Sequence, residues 1–329
     1  MKIGYFLSCE EYAPEQLLDQ ASMAESAGFD ALWISDHFHP WNDQQGQSPL
    51  VWSVIGALSE RTTLPVTTAV TCPTIRTHPV VIAQAAATSS VMLDGGFTLG
   101  VGTGEALNEH VTGARWPVYS VRAEMLDEAV SVIRKLWNGD FVDHHGPHYT
   151  VENARIYTRP QTPPPIYVSG LAERGAALAG RVGDGFICTK PNAALVKTFR
   201  EHGGEGKVTQ GGYKVCWSQN EQTAVRTAHR LWANSGVPGE LAQVLPSPKH
   251  FEQAASLVTE EMTRQSTACG NDVNRHVESF RSYVEAGYDE VFISQMGGAQ
   301  PETSAEGFFE FYASTVLPQL RDVADQTRP

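Results

Sequence analysis

The sequence predicts an α/β protein whose strands and helices alternate in eight units and close into a (β/α)8 TIM barrel. Eight short apolar runs alternate with segments of helical periodicity. The 329 residues exceed the roughly 250 that such a barrel needs. The pattern Ala-Gly-Phe-Asp-Ala-Leu-Trp-Ile-Ser at 27–35 returns at 286–294 as Ala-Gly-Tyr-Asp-Glu-Val-Phe-Ile-Ser. Such a repeat suits a fold in which every strand plays the same role.

The first β–α unit illustrates how each element is justified. Pro14 suits the first turn of a helix, and Gly28 suits the position that ends it. Between them, Leu17, Ala21 and Ala24 recur at the spacing of one helical face. Comparable patterns predict strands at 1–7, 32–34, 64–72, 97–101, 166–169, 185–188, 212–217 and 290–294. Helices are predicted at 14–27, 50–60, 80–93, 121–137, 172–181, 193–202, 220–233, 273–285 and 305–320.

Two segments interrupt this alternation. Residues 140–165 are rich in His, Tyr and Pro, and they predict an inserted hairpin and loop that pack on the scaffold. Residues 234–272 form a long polar excursion between two units. We expect both to be insertions in a single TIM-barrel domain that spans residues 1–329. A doubly wound sheet with a second domain remains the alternative architecture.

Charge and hydropathy exclude two classes of partner. The net charge of −13 leaves no basic stripe of the kind that binds nucleic acid. No apolar run approaches the roughly 18 residues of a membrane span, and residues 1–7 enter a strand without a signal-peptide core. We therefore expect a cytoplasmic protein that binds neither nucleic acid nor a membrane.

The cysteines and histidines predict no metal site. The five cysteines are scattered, without Cys-x-x-Cys spacing, which favours reduced thiols and no zinc. The histidines at 37, 39, 144, 145 and 148 lack a carboxylate or cysteine partner at ligand spacing. For the pair at 144 and 145 in the inserted loop, a solvated role is the simpler interpretation.

Polar side chains follow the ends of several predicted strands. The apolar run 32–34 breaks at once into Ser35, Asp36, His37, His39 and Trp41. Because ligands bind at the carboxyl ends of parallel strands, we expect these groups to meet others on one rim. The other rim candidates are Glu10, Thr74, Thr103, Gly104, Glu105, Asn108, Ser169, Gly170, Thr189 and Lys190. Each of them alone suits a cap or a core position equally well; as a set at several strand ends they indicate catalysis.

The glycine-rich run at 100–105 does not predict a nicotinamide cofactor. A dinucleotide site needs Gly-x-Gly-x-x-Gly, but the sixth residue is Glu105 when counted from Gly100 and Leu107 when counted from Gly102. The glycines instead permit a flat ligand to lie close to the backbone, with Glu105 beside it. The chain also lacks a nucleophile elbow and a Walker P-loop.

Several of these motifs together resemble the luciferase-like superfamily. They are Ser-Asp-His-Phe at 35–38 with Trp41, Thr74 after Cys-Pro, Gly-Val-Gly-Thr-Gly-Glu-Ala-Leu-Asn-Glu at 100–109, and Gly-Asp-Gly-Phe-Ile-Cys-Thr at 183–189. More narrowly, the chain is similar to the glucose-6-phosphate dehydrogenases that use the deazaflavin coenzyme F420. The resemblance implies a TIM barrel, a homodimer and coenzyme F420 as the cofactor.

The resemblance also implies where the cofactor binds. It places a non-proline cis peptide at the bend between Ala69 and Val70, and a phosphate-binding loop at Gly170. Backbone amides of such a loop hold an anion without much positive charge, which reconciles an acidic protein with an acidic cofactor. The cofactor-binding residues would be Asp36, Ala69, Val70, Thr74, Thr103, Gly104, Asn108, Ser169 and Gly170.

By the same resemblance the catalytic residues are His37, Trp41, Glu105 and Glu10. An imidazole can take up a hydroxyl proton near neutral pH while hydride leaves the same carbon, which suits His37 as the base. The ring and N–H of Trp41 would stabilise the resulting state. Glu105 would donate a proton or orient the substrate, and Glu10 would steer His37 or the substrate.

The residues predicted to bind the substrate differ in part from those of the family. Thr189, Lys190 and Arg264 fall where the family binds substrate, but Asn192 and Ala242 replace two lysines of the phosphate site. Losing two cations weakens the recognition of a dianion. The resemblance nevertheless predicts oxidation of the anomeric hydroxyl of a sugar 6-phosphate. The open alternatives are an alcohol dehydrogenase or reductase for a non-phosphorylated substrate, a flavin-dependent monooxygenase and a cofactor-binding protein without activity.

Overall fold

Eight parallel strands close into a barrel in the computed structural model, which describes residues 1–326. The barrel strands are β1 (Lys2–Leu7), β2 (Leu32–Ile34), β3 (Val66–Thr68), β4 (Phe97–Val101), β5 (Ile166–Ser169), β6 (Gly185–Cys188), β7 (Val208–Cys216) and β8 (Glu290–Gln295). Each strand pairs with the next in the chain, and Tyr5 of β1 pairs with both Leu32 of β2 and Ile293 of β8. The closed ring confirms the predicted (β/α)8 barrel and excludes the open, doubly wound sheet.

Helices cover the outside of the barrel. The α-helices are Pro14–Ala27, Val51–Leu58, Pro79–Met92, Ala106–Glu109, Tyr119–Trp137, Glu173–Val182, Ala193–Phe199, Glu221–Trp232, Leu241–Val244, Pro248–Ala255, Glu260–Ser266, Val273–Glu285, Ala305–Phe311 and Leu317–Gln326. The first begins at Pro14 and ends at Gly28, whose φ of 93° is the left-handed conformation that glycine adopts readily. The predicted face of Leu17, Ala21 and Ala24 is fully buried. The local signals therefore located this helix correctly.

Two barrel strands differ in length from the prediction by more than one residue. The third was predicted at 64–72 but ends at Thr68, before the Ala69–Val70 peptide, which is cis as the resemblance implies. The seventh was predicted at 212–217 but begins four residues earlier, at Val208. The glycines at 211 and 212 lie inside this strand, and a Cβ at Gly212 would lie 2.2 Å from the ring of Trp33. They are part of the strand because a large ring packs against its backbone.

The two predicted insertions contain regular structure of their own. Residues 142–145 and 150–154 pair as an antiparallel hairpin. The polar excursion holds three short helices and a strand, Ala268–Cys269, that pairs with β7. The last of these helices, Glu260–Ser266, is capped by Thr259, whose side chain accepts a hydrogen bond from the backbone N–H of Met262. Capping residues were present in the sequence, but the overall polarity of the segment concealed them.

Aromatic side chains fill the interior of the barrel. Trp33 stacks on Phe292 with 4.5 Å between ring centroids, and the edge of Phe6 meets Trp33 at 5.6 Å. The indole N–H of Trp33 donates to Oε1 of Gln210 at 2.9 Å, so the buried polar group is satisfied. Each such ring contributes about 2 kcal/mol by burial alone. Since the interior is solid, a ligand must bind at the rim.

The cysteine thiols are all enclosed in the fold. All five cysteines are free and buried, and burial raises the pKa of the Cys72 thiol near the rim. A protonated, enclosed thiol is a poor nucleophile.

Within residues 1–326, no helix combines the length and apolar character that crossing a membrane requires.

Candidate active site

The ends of β1 and β2 are tied together by one serine. Ser35 follows β2, and its hydroxyl donates to Oε2 of Glu10 at 2.6 Å. The Ser35 hydroxyl oxygen also accepts a hydrogen bond from the backbone N–H of Cys9 at 2.9 Å. Glu10 is only 3% exposed, so its carboxylate is held inside the rim in a fixed position.

The Glu10 carboxylate also contacts two of the predicted catalytic residues. Its Oε1 accepts a hydrogen bond from Nε1 of Trp41 at 3.2 Å and lies 3.4 Å from Nε2 of His37. Burial disfavours the charged carboxylate, but His37, Lys214 and the Ser35 hydroxyl together lower the pKa of Glu10 below its ordinary value. Glu10 is therefore an anion at neutral pH and faces the imidazole.

Asn108 joins the fourth strand end to the same imidazole. Its Oδ1 accepts from the backbone N–H groups of Phe38 and His39 at 2.8 and 3.0 Å, which fixes the orientation of the amide. Its Nδ2 then donates to Oε1 of Glu105 at 2.5 Å and lies 2.9 Å from Nδ1 of His37. The same Glu105 oxygen is 3.9 Å from Nε2 of His37. Two carboxylates thus flank one imidazole nitrogen.

The surroundings of His37 accommodate a proton on either ring nitrogen. Nδ1 lies 3.1 Å from the carbonyl oxygen of His39, which can accept an Nδ1–H. Nε2 faces the Glu10 carboxylate, which can accept an Nε2–H. The protonated imidazole therefore has an acceptor for each N–H, whereas the neutral ring can offer Nε2 as a base. This arrangement suits a group that gains and loses a proton during a reaction.

Trp41 is positioned by the long insertion. Its ring lies 4.9 Å from the His37 ring on one side and 5.0 Å from Phe251 of the insertion on the other. Its backbone N–H donates to Oε1 of Gln45 at 2.8 Å, and the Gln45 amide in turn donates to the carbonyl of Leu231. The 234–272 insertion therefore helps to shape the site.

Asp36 lies in a buried ion pair that the sequence did not reveal. Its Oδ1 is 2.7 Å from Nη2 of Arg76, and the Thr71 hydroxyl donates to its Oδ2. Arg76 also lies 3.5 Å from Oε1 of Glu109 and donates its backbone N–H to Oε2 at 2.9 Å. Burial raises the pKa of Glu109 to about 7. Arg76 stands 40 positions from Asp36 and follows no pattern that would have singled it out.

Lys214 is a second residue that sequence reasoning missed. Its ammonium donates to the hydroxyl of Ser8 at 2.7 Å and lies over the rings of Phe6 and Trp232, at 4.2 and 3.9 Å from their centroids. Burial lowers the pKa of Lys214, while the nearby carboxylates of Glu10 and Glu11 oppose that change. A lysine within a predicted strand, at 212–217, was the available signal.

The predicted cofactor residues after β3 and β4 form a strip of close-packed backbone. A Cβ at Gly102 would lie 2.8 Å from Cγ2 of Val70, at the cis bend. Gly104 has a φ of +78°, and a Cβ there would lie 2.8 Å from Cγ of Glu109. Thr103 and Gly104 are half-buried, and the buried hydroxyl of Thr74 has no hydrogen-bond partner within the described chain. Such a strip fits one face of a planar ring, with a spare polar group at its edge.

The predicted phosphate loop begins where β5 ends, at Ser169. The amide of Gly170 donates to the carbonyl of Ile187 at 3.1 Å. A Cβ at Gly170 would lie 2.5 Å from the carbonyl carbon of Gly175, so the loop packs directly on the first turn of the helix Glu173–Val182. A helix N-terminus at this place presents backbone N–H groups to an anion.

Thr189 and Lys190, two of the predicted substrate residues, follow β6, and the third, Arg264, lies in the helix Glu260–Ser266. Thr189 and Lys190 are exposed, and Arg264 is 2.7 Å from Oε1 of Glu221 and donates to Oε1 of Gln222 at 2.6 Å. Among residues 1–326, no hydrogen bond or ion pair connects these three residues to His37. Asn192 caps a helix by accepting from the amide of Ala194 at 3.0 Å.

Comparison with known proteins gives consistent relatives over the whole chain. A family model described as luciferase-like monooxygenase matches residues 1–290. The F420-dependent glucose-6-phosphate dehydrogenases of Beutenbergia cavernae and Kribbella flavida are 34% and 35% identical, and each alignment covers 98% of both chains. An F420-dependent secondary alcohol dehydrogenase, solved in complex with an F420-acetone adduct, superimposes with a TM-score of 0.87 at 32% identity, over 98% of this chain and 99% of that one. The family resemblance is thereby confirmed: the chain belongs to the luciferase-like family.

Proposed function

We propose that this protein is a coenzyme F420-dependent oxidoreductase that oxidises a hydroxyl group of a small molecule, with His37 as the base. Relatives that are 32–35% identical over nearly the whole chain are named as F420-dependent dehydrogenases. The observation that carries the catalytic assignment is the rim cluster, in which Glu10 and Glu105 lie 3.4 and 3.9 Å from Nε2 of His37.

The rim residues fit the cofactor. The strip from Gly102 to Gly104 with the cis bend would lie against the ring, and Asp36, Thr74 and Asn108 would stand at its edge. Ser169 and Gly170 would hold its phosphate at the helix N-terminus. When bound there, the deazaflavin would supply the acceptor for the hydride of the carbinol carbon.

Side chains of the protein then take up the hydroxyl proton and stabilise the resulting charge. Nε2 of His37 takes the hydroxyl proton as the carbonyl forms, and the Glu10 anion stabilises the charged imidazole. The indole N–H of Trp41, fixed on Glu10, adds a donor at the edge of the site. Glu105, held by Asn108, orients the substrate hydroxyl. Together these groups place the base and its counter-charge before the substrate arrives.

We infer that the substrate is an alcohol without a phosphate group. Of the three positions assigned to the phosphate, Asn192 caps a helix, Ala242 is uncharged and Arg264 is paired with Glu221. The similar secondary alcohol dehydrogenase, whose complex contains an acetone adduct, supports this class. A sugar 6-phosphate is the second candidate, favoured by the names of the relatives in Beutenbergia and Kribbella.

A substrate panel tests the function. The protein is mixed with F420 and, separately, with short secondary alcohols, glucose and glucose 6-phosphate, and the loss of cofactor absorbance is followed. Turnover of an alcohol but not of the sugar phosphate is the expected result, and the opposite pattern would restore the sugar phosphate. Reduced cofactor with ketones tests a reductase, and FMN with oxygen tests a monooxygenase. Failure to bind F420 would overturn the assignment.

We further propose that the protein is a homodimer, as the resemblance implies. The helix Pro79–Met92 exposes Val81, Val91 and Met92, which supports a partner surface on this side. Light scattering tests the proposal, because a dimer has twice the monomer mass of 35.9 kDa. A monomer at working concentration would contradict it.

A further inference from the structure

The inserted hairpin contacts the segment after β3 as well as the hydrophobic core. Val142 and Val151, on its two strands, are 7% and 4% exposed and belong to the core of the barrel domain. Tyr149 lies between the two strands, and its hydroxyl donates towards the carbonyl oxygens of Pro73 and Thr74, at 3.2 and 2.9 Å. The proposed mechanism gives this contact no role.

Glu128 holds the turn of this hairpin in place. Its Oε2 accepts a hydrogen bond from the backbone N–H of His148 at 3.0 Å, and its Oε1 accepts one from that of Tyr149 at 3.0 Å. Nε2 of His144 lies 2.8 Å from the same Oε1. Burial disfavours the charged carboxylate, but His144 and the two backbone amides lower the pKa of Glu128 below its ordinary value. Glu128 is therefore charged at neutral pH and fixes the backbone that carries Tyr149.

The hydroxyl of Tyr149 is a donor for two carbonyls that receive no hydrogen bond from the backbone. The side chain is 5% exposed, and the ring of His78 meets it edge-on with 5.4 Å between centroids. Within residues 1–326, no backbone N–H donates to the carbonyl of Pro73 or Thr74, although both residues are buried. Buried carbonyls in native proteins are nearly always paired. Tyr149 therefore supplies a hydrogen bond that this turn does not make for itself.

The turn held by Tyr149 carries two groups of the proposed cofactor site. The hydroxyl of Thr74 is buried and has no hydrogen-bond partner within the described chain. Two residues later, Nη2 of Arg76 lies 2.7 Å from Oδ1 of Asp36. The backbone N–H of Arg76 donates to Glu109 at 2.9 Å, so Glu109 fixes one end of the turn and Tyr149 fixes the other. Because Tyr149 bonds to the backbone of Thr74 itself, the direction of the Thr74 hydroxyl depends on this contact.

We propose that Tyr149 is a positioning residue for the cofactor: its hydrogen bond to the Thr74 carbonyl directs the Thr74 hydroxyl to the polar edge of the bound ring. The proposal rests on the F420-dependent function given above. A hydroxyl both donates and accepts hydrogen bonds, so it matches the carbonyl and N–H groups at the edge of a deazaflavin. Without the Tyr149 contact the turn is less restrained, and ordering Thr74 on binding costs more entropy.

Fluorescence titration with F420, together with steady-state kinetics, tests the proposal. The Y149F variant keeps the ring and loses only the hydroxyl. It should bind F420 about fivefold more weakly, because one neutral hydrogen bond is lost. Its kcat at saturating F420 should stay within about twofold of the parent, since His37 and Glu10 do not lie on this turn. Y157F removes a hydroxyl from a residue that is 77% exposed on the same insertion, and this control should match the parent in both measurements.

A double variant separates positioning from a general effect on the fold. T74V lacks the Thr74 hydroxyl but keeps the carbonyl that Tyr149 contacts, and it should also bind F420 about fivefold more weakly. The variant with both changes should bind as T74V does, because Tyr149 then has no hydroxyl to direct. Effects that multiply to about twenty-fivefold would show that Tyr149 acts independently of Thr74 and would overturn the proposal.

The outcomes also separate the proposal from the function on which it rests. Parent-like F420 affinity in Y149F would overturn the role of Tyr149 and leave F420 dependence intact. A lower kcat with unchanged affinity would do the same. A parent protein that does not bind F420 would overturn the proposed function, and the positioning role with it.

Discussion

Nε2 of His37 lies 3.4 Å from Oε1 of Glu10, so an imidazole from the end of β2 and a buried carboxylate from the end of β1 meet at one point of the rim. Ser35 holds the carboxylate, and the carbonyl oxygen of His39 lies 3.1 Å from Nδ1 of His37, so neither group depends on a ligand for its position. Proton transfer at a preorganised pair costs little rearrangement.

Replacing Glu10 by Gln should lower kcat/KM for the alcohol by about a hundredfold, because the charged imidazole loses its anion. The acidic limb of the pH profile should move to lower pH, since a proton on His37 is then less stabilised. Steady-state kinetics from pH 5 to 9 measures both effects. Glu15→Gln, an exposed change on the neighbouring helix, should behave as the parent. A parent-like profile for E10Q would remove Glu10 from the mechanism.

Replacing Lys214 by Met should act through Glu10 rather than on the substrate. Without the ammonium, burial raises the pKa of Glu10 and fewer molecules carry its charge. We expect kcat/KM to fall most at low pH, with the acidic limb moving to higher pH, opposite to the shift in E10Q. Lys214→Arg keeps the charge and should retain most of the profile. A uniform loss at every pH would indicate a merely structural role.

Glu109 should make the free energy of unfolding depend on pH. Its pKa is raised to about 7 in the folded protein from an ordinary value of 4.5, so the folded state binds the extra proton between these values. Stability from this group is therefore present at low pH and is lost as pH rises towards 7. The shift corresponds to about 3 kcal/mol.

Urea unfolding of the parent and of E109Q at pH 5 and pH 7.5 measures this dependence. The variant should lose less stability than the parent between the two pH values, because glutamine does not titrate. Glu60→Gln, at an exposed position, should leave the pH dependence unchanged. A variant as sensitive to pH as the parent would show that Glu109 ionises normally.

The strands, helices and motifs that depend on neighbouring residues could be predicted from the sequence. Leu32–Ile34 is a strand because three apolar residues precede a polar break, and Asp36 and His37 follow it onto the rim. The Ser-Asp-His-Phe motif was recognisable for the same reason: its residues are adjacent. The helix Pro14–Ala27 was bounded by a proline and a glycine that act within one turn.

The residues that could not be predicted make contacts with distant segments of the chain. Arg76 pairs with Asp36 and Lys214 reaches Ser8, and neither pairing has a periodicity or spacing that marks it. The predicted strand began at Gly212. The reason for a glycine inside the strand is the ring of Trp33, which leaves no room for a side chain there and comes from another strand. Arg264 was expected at a phosphate, but the position in sequence could not show its pairing with Glu221.

The most direct test of the central claim is the rate of cofactor reduction in the His37→Ala variant, measured beside its affinity for F420. We expect F420 binding as in the parent and a rate at least about a hundredfold lower, because the base is gone while the ring strip is intact. His250→Gln, an exposed change in the insertion, should keep the parent rate. Parent-like reduction of F420 by H37A would show that His37 is not the base.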